Sequence, residues 1–114
     1  MDKDQARIGS LKYKIILRPF AIKCLKKIRD RSILRHISQS IGNLAFDPEA
    51  QGKALIGGLK GYRSLRSSAQ RYRIIFRVER VQIIGYVVAV NIQKAGDKND
   101  IYNLAKKLLR QHLL

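Results

Sequence analysis

The chain has 114 residues, of which 24 are lysine or arginine and 8 are aspartate or glutamate, a formal net charge of +16. Its hydrophobic content of 46% is enough for one packed core, and its length is too short for two, which excludes both a disordered chain and a multidomain enzyme. A surface this basic favours polyanions (RNA, DNA or acidic protein segments), speeds their encounter, and repels its own copies until a partner neutralises it.

Residues 1–10 are polar and read as a flexible N-terminal tail, with 11–114 as a single domain. LKYKIILR (11–18) alternates, with Leu11, Tyr13, Ile15 and Leu17 on one side and Lys12, Lys14 and Arg18 on the other, the pattern of a half-buried strand. Pro19 suits the first position of a helix, because its missing N–H has no partner to lose there. Ala21, Leu25 and Ile28 follow at helical spacing, Asp30 to Ser32 break the run, and Ser32 is the expected cap of a second helix. That helix carries Ile33, Leu34, Ile37, Ile41 and Leu44 and ends near Asp47-Pro48, so the two helices form an antiparallel hairpin.

EAQGKALIGGLKG (49–61) reads as a loop leading into a sheet. Tyr62 to Ser67 is a short strand, and Ser67 to Gln70 a turn. In the next strand Tyr72, Ile74, Phe76 and Val78 form one face and Arg71, Arg73, Ile75 and Arg77 the other. VQIIGYVVAVNI (81–92) is apolar on both faces, as a central strand should be. Gly96-Asp97 opens a last helix, whose buried stripe is Ile101, Leu104, Ala105, Leu108 and Leu109. The order β-α-α-β-β-β-α predicts an α+β fold: a small, mainly antiparallel sheet with an N-terminal helical hairpin on one face and a C-terminal helix. The helices pack on one face, and the arginines stand on the other, left free.

Several chemistries are excluded. Cys24 is alone, which removes a disulfide framework and points to a reducing compartment, and it packs as a small apolar residue. His36 and His112 lie far apart and no cysteines pair with them, so no zinc site of the usual spacing exists. No metal or other cofactor is expected. Asp47, Glu49, Asp97 and Asp100 sit in caps and turns rather than as a catalytic pair, and the glycines at 57, 58 and 61 do not precede the Gly-Lys-Ser/Thr of a phosphate loop. The N-terminal stretch has no signal-peptide core and no segment approaches the ~20 apolar residues of a membrane span, so a soluble cytoplasmic protein is expected.

What remains is arginine, lysine and tyrosine. Such residues can cleave RNA without a metal, because RNA carries its own nucleophile, the 2′-hydroxyl. Arginine is always charged and grips two phosphate oxygens at once, and tyrosine stacks on a base or bonds to a sugar hydroxyl. Against this stands the ordinary reading of an alternating charged strand, the solvated face of a sheet.

The residues YKIILRPFAIKCLKKI (13–28), the Asp-Pro at 47–48, LKGYRSLR (59–66), YRIIFRV (72–78) and GDKNDIYNLAKKLL (96–109) together resemble the RelE/ParE superfamily of toxins from bacterial and archaeal type II toxin–antitoxin systems. The resemblance covers Tyr13 to Leu109 and is nearest to the RelE branch. It implies a RelE-like fold and a metal-independent endoribonuclease, an mRNA interferase that blocks translation by cutting mRNA in the ribosomal A site. Carried over by position, it implies Arg63, Arg66, Arg73 and Tyr102 as catalytic residues: Arg73 on the scissile phosphate, Tyr102 stacking on or orienting the nucleotide. Lys60, Arg71, Arg77, Gln93, Lys94 and Lys98 are the implied RNA contacts. In NIQK, Gln93 stands where the family usually has an arginine; either Lys94 or Lys98 supplies that charge, or turnover is weakened. The implied partners are a cognate antitoxin, mRNA and the ribosome, with operator DNA reached only through the antitoxin complex. A ParE-like inhibitor of DNA gyrase, and an antitoxin-binding homologue weakened in catalysis, are the alternative readings.

Overall fold

The computed structural model describes residues 12–68, 71–92, 103, 106–108 and 110. The chain runs β1 (Lys14–Leu17), α1 (Pro19–Lys26), α2 (Arg31–Asn43), β2 (Lys53–Ala54), β3 (Tyr62–Ser67), β4 (Tyr72–Glu79) and β5 (Ile84–Ile92). Residues 103, 106–108 and 110 are helical. The sheet order is β1-β5-β4-β3-β2, with β1 parallel to β5 and every other pair antiparallel. The α+β class, the helical hairpin and the mainly antiparallel sheet are as predicted. The expected tail at 1–10 and the expected cap at Asp97 lie outside the described residues.

Local chemistry sets the element boundaries. Pro19 opens α1 as the sequence predicts. The cap of α2 is Asp30 rather than Ser32: its Oδ1 accepts from the backbone N–H of Ser32 at 2.8 Å and of Ile33 at 3.1 Å. An extended Asp30 places its carboxylate over two orphan amides, and Ser32 already lies inside the first turn. The expected loop at 49–61 is more ordered than composition indicates. It contains the two-residue edge strand β2 and two short 3₁₀ turns, Pro48–Ala50 and Gly57–Leu59. Gln51 fastens it, its Nε2 donating to the carbonyls of Asn43 at 2.8 Å and Phe46 at 2.7 Å and so covering the end of α2.

Two cores form. The larger lies between the helical hairpin and one sheet face and contains Ala21, Ile37, Ile41, Leu44, Ile74, Phe76, Val87 and Val90. The other sheet face is not left free. Leu55, Leu59, Ile75, Val88, Ala89 and Leu108 form a second buried cluster there, with Phe20, Tyr62 and Tyr86 packed against it. Ile75, which alternation places among the arginines, is fully buried beneath this cover. A β-bulge between Ile75 and Phe76 turns Val88 and Ala89 into the same cluster.

Candidate nucleic-acid interface

Strand register decides which basic side chains share a face. Residues directly opposite in an antiparallel pair lie on the same side of the sheet. Arg66 is opposite Arg73, Arg73 is opposite Asn91, and Tyr62, Arg77 and Tyr86 line up across β3, β4 and β5. All of these stand on the face away from the helical hairpin. Arg66 is exposed and Arg73 half-buried, with Arg73 Nη1 donating to the buried Ser64 hydroxyl at 3.2 Å. This bond fixes one arm of the guanidinium against β3. Farther along, the Arg77 guanidinium lies 4.7 Å from the centre of the Tyr86 ring, and that of Arg18 lies 5.9 Å from it. Cations at these distances are held by the ring's quadrupole.

Arg63 is not in this group. It pairs with Phe76, whose side chain is in the hairpin core, and its Nε donates to the Gln51 carbonyl at 2.9 Å while Nη2 donates to the Gly52 carbonyl at 3.2 Å. The spacing of three between Arg63 and Arg66 sends them to opposite faces of a regular strand. The structure thus places Arg63 on the face opposite Arg66 and Arg73, where it clamps the loop before β2 onto β3. Arg71 is exposed in the turn before β4, and Lys60 is exposed after the Gly57–Leu59 turn, so neither belongs to the strand row. Tyr102, Gln93, Lys94 and Lys98 lie outside the described residues.

Sequence reasoning missed Asn91, Tyr62, Tyr86 and Arg18. Only the pairing of β4 with β3 and β5, and the path of the chain after β1, bring them beside the predicted arginines. Arg18 was legible as a basic strand end, but not as a neighbour of Tyr86. Among the described residues no group of histidine, cysteine, aspartate and glutamate is arranged to hold a metal ion. No helix among them is long and apolar enough to cross a membrane.

The sequence model of the ParE toxin of the type II toxin–antitoxin system parDE matches residues 15–95. The chain belongs to the ParE toxin family. It is thus a type II toxin of the RelE/ParE superfamily, and other similarities agree. A RelE-like toxin protein of Escherichia coli is 26% identical over 100 residues, covering 88% of this chain and all of that one. The RelBE2 toxin–antitoxin complex of Mycobacterium tuberculosis contains a chain similar at TM-score 0.65 and 24% identity, covering 73% of this chain and 93% of that one. A free-state mutant of the E. coli toxin RelE superposes at TM-score 0.64 with 14% identity over 89% of this ParE-family chain and 98% of its own. At such identities the solved structures establish a shared fold.

Proposed function

We propose that this ParE-family toxin is a ribosome-dependent mRNA endoribonuclease whose phosphate-gripping site is the Arg66–Arg73 pair. The observation that carries the reading is their register. Two guanidinium-bearing residues directly opposite on one sheet face repel, a cost of about 0.2–1 kcal/mol, which an anion seated between them reverses. Their Cα atoms stand roughly 4.5–5.5 Å apart in such a pair, so two forks can converge on one phosphate.

The chemistry follows from the substrate. The RNA 2′-oxygen forms a bond to the adjacent phosphorus, the bond to the 5′-oxygen breaks, and the products end in a 2′,3′-cyclic phosphate and a 5′-hydroxyl. The 2′ proton must be removed and one delivered to the departing 5′-oxygen. Arg73 and Arg66 stabilise the extra negative charge on the five-coordinate phosphorus. Preorganised donors of this kind each contribute on the order of 3–4 kcal/mol where water is excluded. As an always-charged group, neither arginine serves as the base. Tyr102, with Lys94 or Lys98, is proposed for orienting the nucleotide and handling protons, and Arg77 and Lys60 for RNA contacts farther out.

A cognate antitoxin is the proposed protein partner. The M. tuberculosis relative and the RelE–RelB complex of Pyrococcus horikoshii, the latter at TM-score 0.57, each have such a partner. An excess of 16 positive charges attracts an acidic segment. The family match itself favours a second reading, inhibition of DNA gyrase by binding without catalysis. Induction in cells separates the two. Primer extension on a reporter mRNA is expected to reveal new 5′ ends within codons for wild type, and none for Arg73→Ala. Intact transcripts together with lost plasmid supercoiling favour the gyrase reading instead.

A further inference from the structure

The helical hairpin carries a second concentration of charge, on the side of the molecule away from Arg66 and Arg73. Between residues 23 and 35 stand six cations, Lys23, Lys26, Lys27, Arg29, Arg31 and Arg35, all of them exposed. The one acid in this stretch, Asp30, is engaged by the amides of Ser32 and Ile33. Among the described residues none of the six is ion-paired. Helix electrostatics account for only two of them. Lys23 and Lys26 occupy the last turn of α1, where the helix dipole favours a cation. Arg31 is the first residue of α2, at the end that repels a cation, and Arg35 follows one turn on. Like charges four residues apart adjoin on a helix and destabilise it. A bound polyanion relieves both penalties.

The face of α2 that carries these arginines continues at helical spacing through Ser38, Gln39 and Gly42, all exposed. Nothing lies within 4 Å of the place a Cβ at Gly42 would take, so the backbone is open to close approach there. Ile22 is the one large hydrophobic of either helix left exposed. A protein partner would find no apolar centre to bury, whereas a polar, cationic surface is the character of a nucleic-acid interface. The hairpin core and the sheet lie between this face and the Arg66–Arg73 pair, so the two engage separate stretches of RNA.

We propose that the outer face of α2 docks on the shallow minor groove of folded, double-helical RNA. Arg31 and Arg35, roughly 6 Å apart along the helix axis, meet successive phosphates. Ser38 and Gln39 meet 2′-hydroxyls. A-form RNA displays those hydroxyls in a wide minor groove open to a helix face, while its major groove is too deep and narrow to read. Lys26, Lys27 and Arg29, at the turn of the hairpin, extend the contact to flanking phosphates. Such contacts read shape and the 2′-hydroxyl rather than sequence. The toxin would thus hold structural RNA with its helices while the sheet face holds the message. That role rests on the nuclease reading, and the binding test is independent of cleavage.

The test measures binding of the full chain to a blunt RNA duplex of about 16 base pairs and to DNA of the same sequence. Wild type is expected to hold the RNA about fivefold more tightly than the DNA, the 2′-hydroxyl being the difference. Arg31→Glu/Arg35→Glu is expected to weaken the RNA complex about tenfold or more through two lost phosphate contacts. Glutamate is a good helix former and suits a first turn, so this variant folds. Lys53→Glu/Lys106→Glu, also at exposed positions, makes the same change in net charge and is expected to weaken it less than about threefold. Ser38→Ala/Gln39→Ala is expected to remove the preference for RNA and leave DNA binding unchanged. Equal losses in the two charge variants, equal affinity of wild type for RNA and DNA, or tighter binding of an acidic helical peptide than of the RNA would overturn the docking. Cleavage of ribosome-bound message alongside any of these defeats the docking alone. Selective duplex binding without any cleavage defeats the nuclease reading alone.

Discussion

Arg63 shows how far residue identity and position carry. The sequence marks it as one basic side chain in a row of seven between residues 58 and 80. Strand parity, available in the same letters, separates it from Arg66, and its bonds to the Gln51 and Gly52 carbonyls explain why a cation is useful there. Arg63→Ala is expected to lower stability by about 1–2 kcal/mol in urea unfolding, since two carbonyls lose a charged donor. Its effect on toxicity should follow that lost stability, whereas Arg73→Ala, which also gives up the bond to Ser64, is expected to reduce toxicity far more than its own fall in urea midpoint accounts for. Gly52 has φ +66°, and a Cβ there would strike the Ser64 carbonyl across the β2–β3 pair. Gly52→Ala is therefore expected to cost more than ~1 kcal/mol, combining strain with collision. Ile83 holds a left-handed φ of 59° in the turn between β4 and β5, costly for a β-branched residue. Ile83→Asn or Ile83→Gly should leave the thermal midpoint unchanged or raise it, the relaxed backbone offsetting the half-buried side chain that is lost. No composition or periodicity foretells that strain.

Elements with strong periodicity were the most legible. β3 runs from Tyr62 to Ser67 and β4 starts at Tyr72, as predicted, because every second residue had to enter the hairpin core, although Ile75 on the opposite face is buried as well. The 49–61 segment was illegible for the opposite reason. β2 and its flanking turns are held by side chain–backbone bonds and by pairing with β3, and short irregular elements carry no period. The cap of α2 was read as Ser32, two residues late, and the geometry selects Asp30. Asp30→Ala is expected to destabilise the protein by about 1 kcal/mol, measured by denaturant midpoint, with Ser32→Ala close to neutral. The same 49–61 loop is joined to the β4–β5 turn by Glu49 and Arg80, whose Nη2–Oε2 distance is 2.6 Å. The Arg80 hydrogen bond, opposed only by slight burial, holds the Glu49 carboxyl below its ordinary range. A lowered folded-state pKa gives stability that is present above the unfolded pKa and is lost as pH falls through the folded one. The midpoint difference between wild type and Glu49→Gln should thus be small at neutral pH, vanish in acid, and shrink in high salt, as befits an exposed pair.

For the molecule as a whole, the charge of +16 was the most informative property of the sequence, and the placement of that charge the least. Composition could not reveal that a second core, with Ile75 and Leu108, covers part of the sheet face expected to be free. The cover divides the row, leaving Arg66, Arg73 and Asn91 toward one end and Tyr62, Arg77, Tyr86 and Arg18 toward the other. A single strand crossing both groups releases counterions at each, so its affinity should fall steeply with salt. Arg77→Ala should reduce the slope of log affinity against log salt by about 0.7, the single-strand value for one lost phosphate contact. Filter binding of a short oligoribonucleotide at several salt concentrations reads this directly. The central assignment is tested most directly by incubating the purified toxin with mRNA programmed on ribosomes and analysing the ends of the fragments. Wild type is predicted to give fragments with 5′-hydroxyl ends, and a folded Arg73→Ala to leave the message whole. Equal cutting by the two proteins, or no cutting by wild type that still arrests growth, would contradict it.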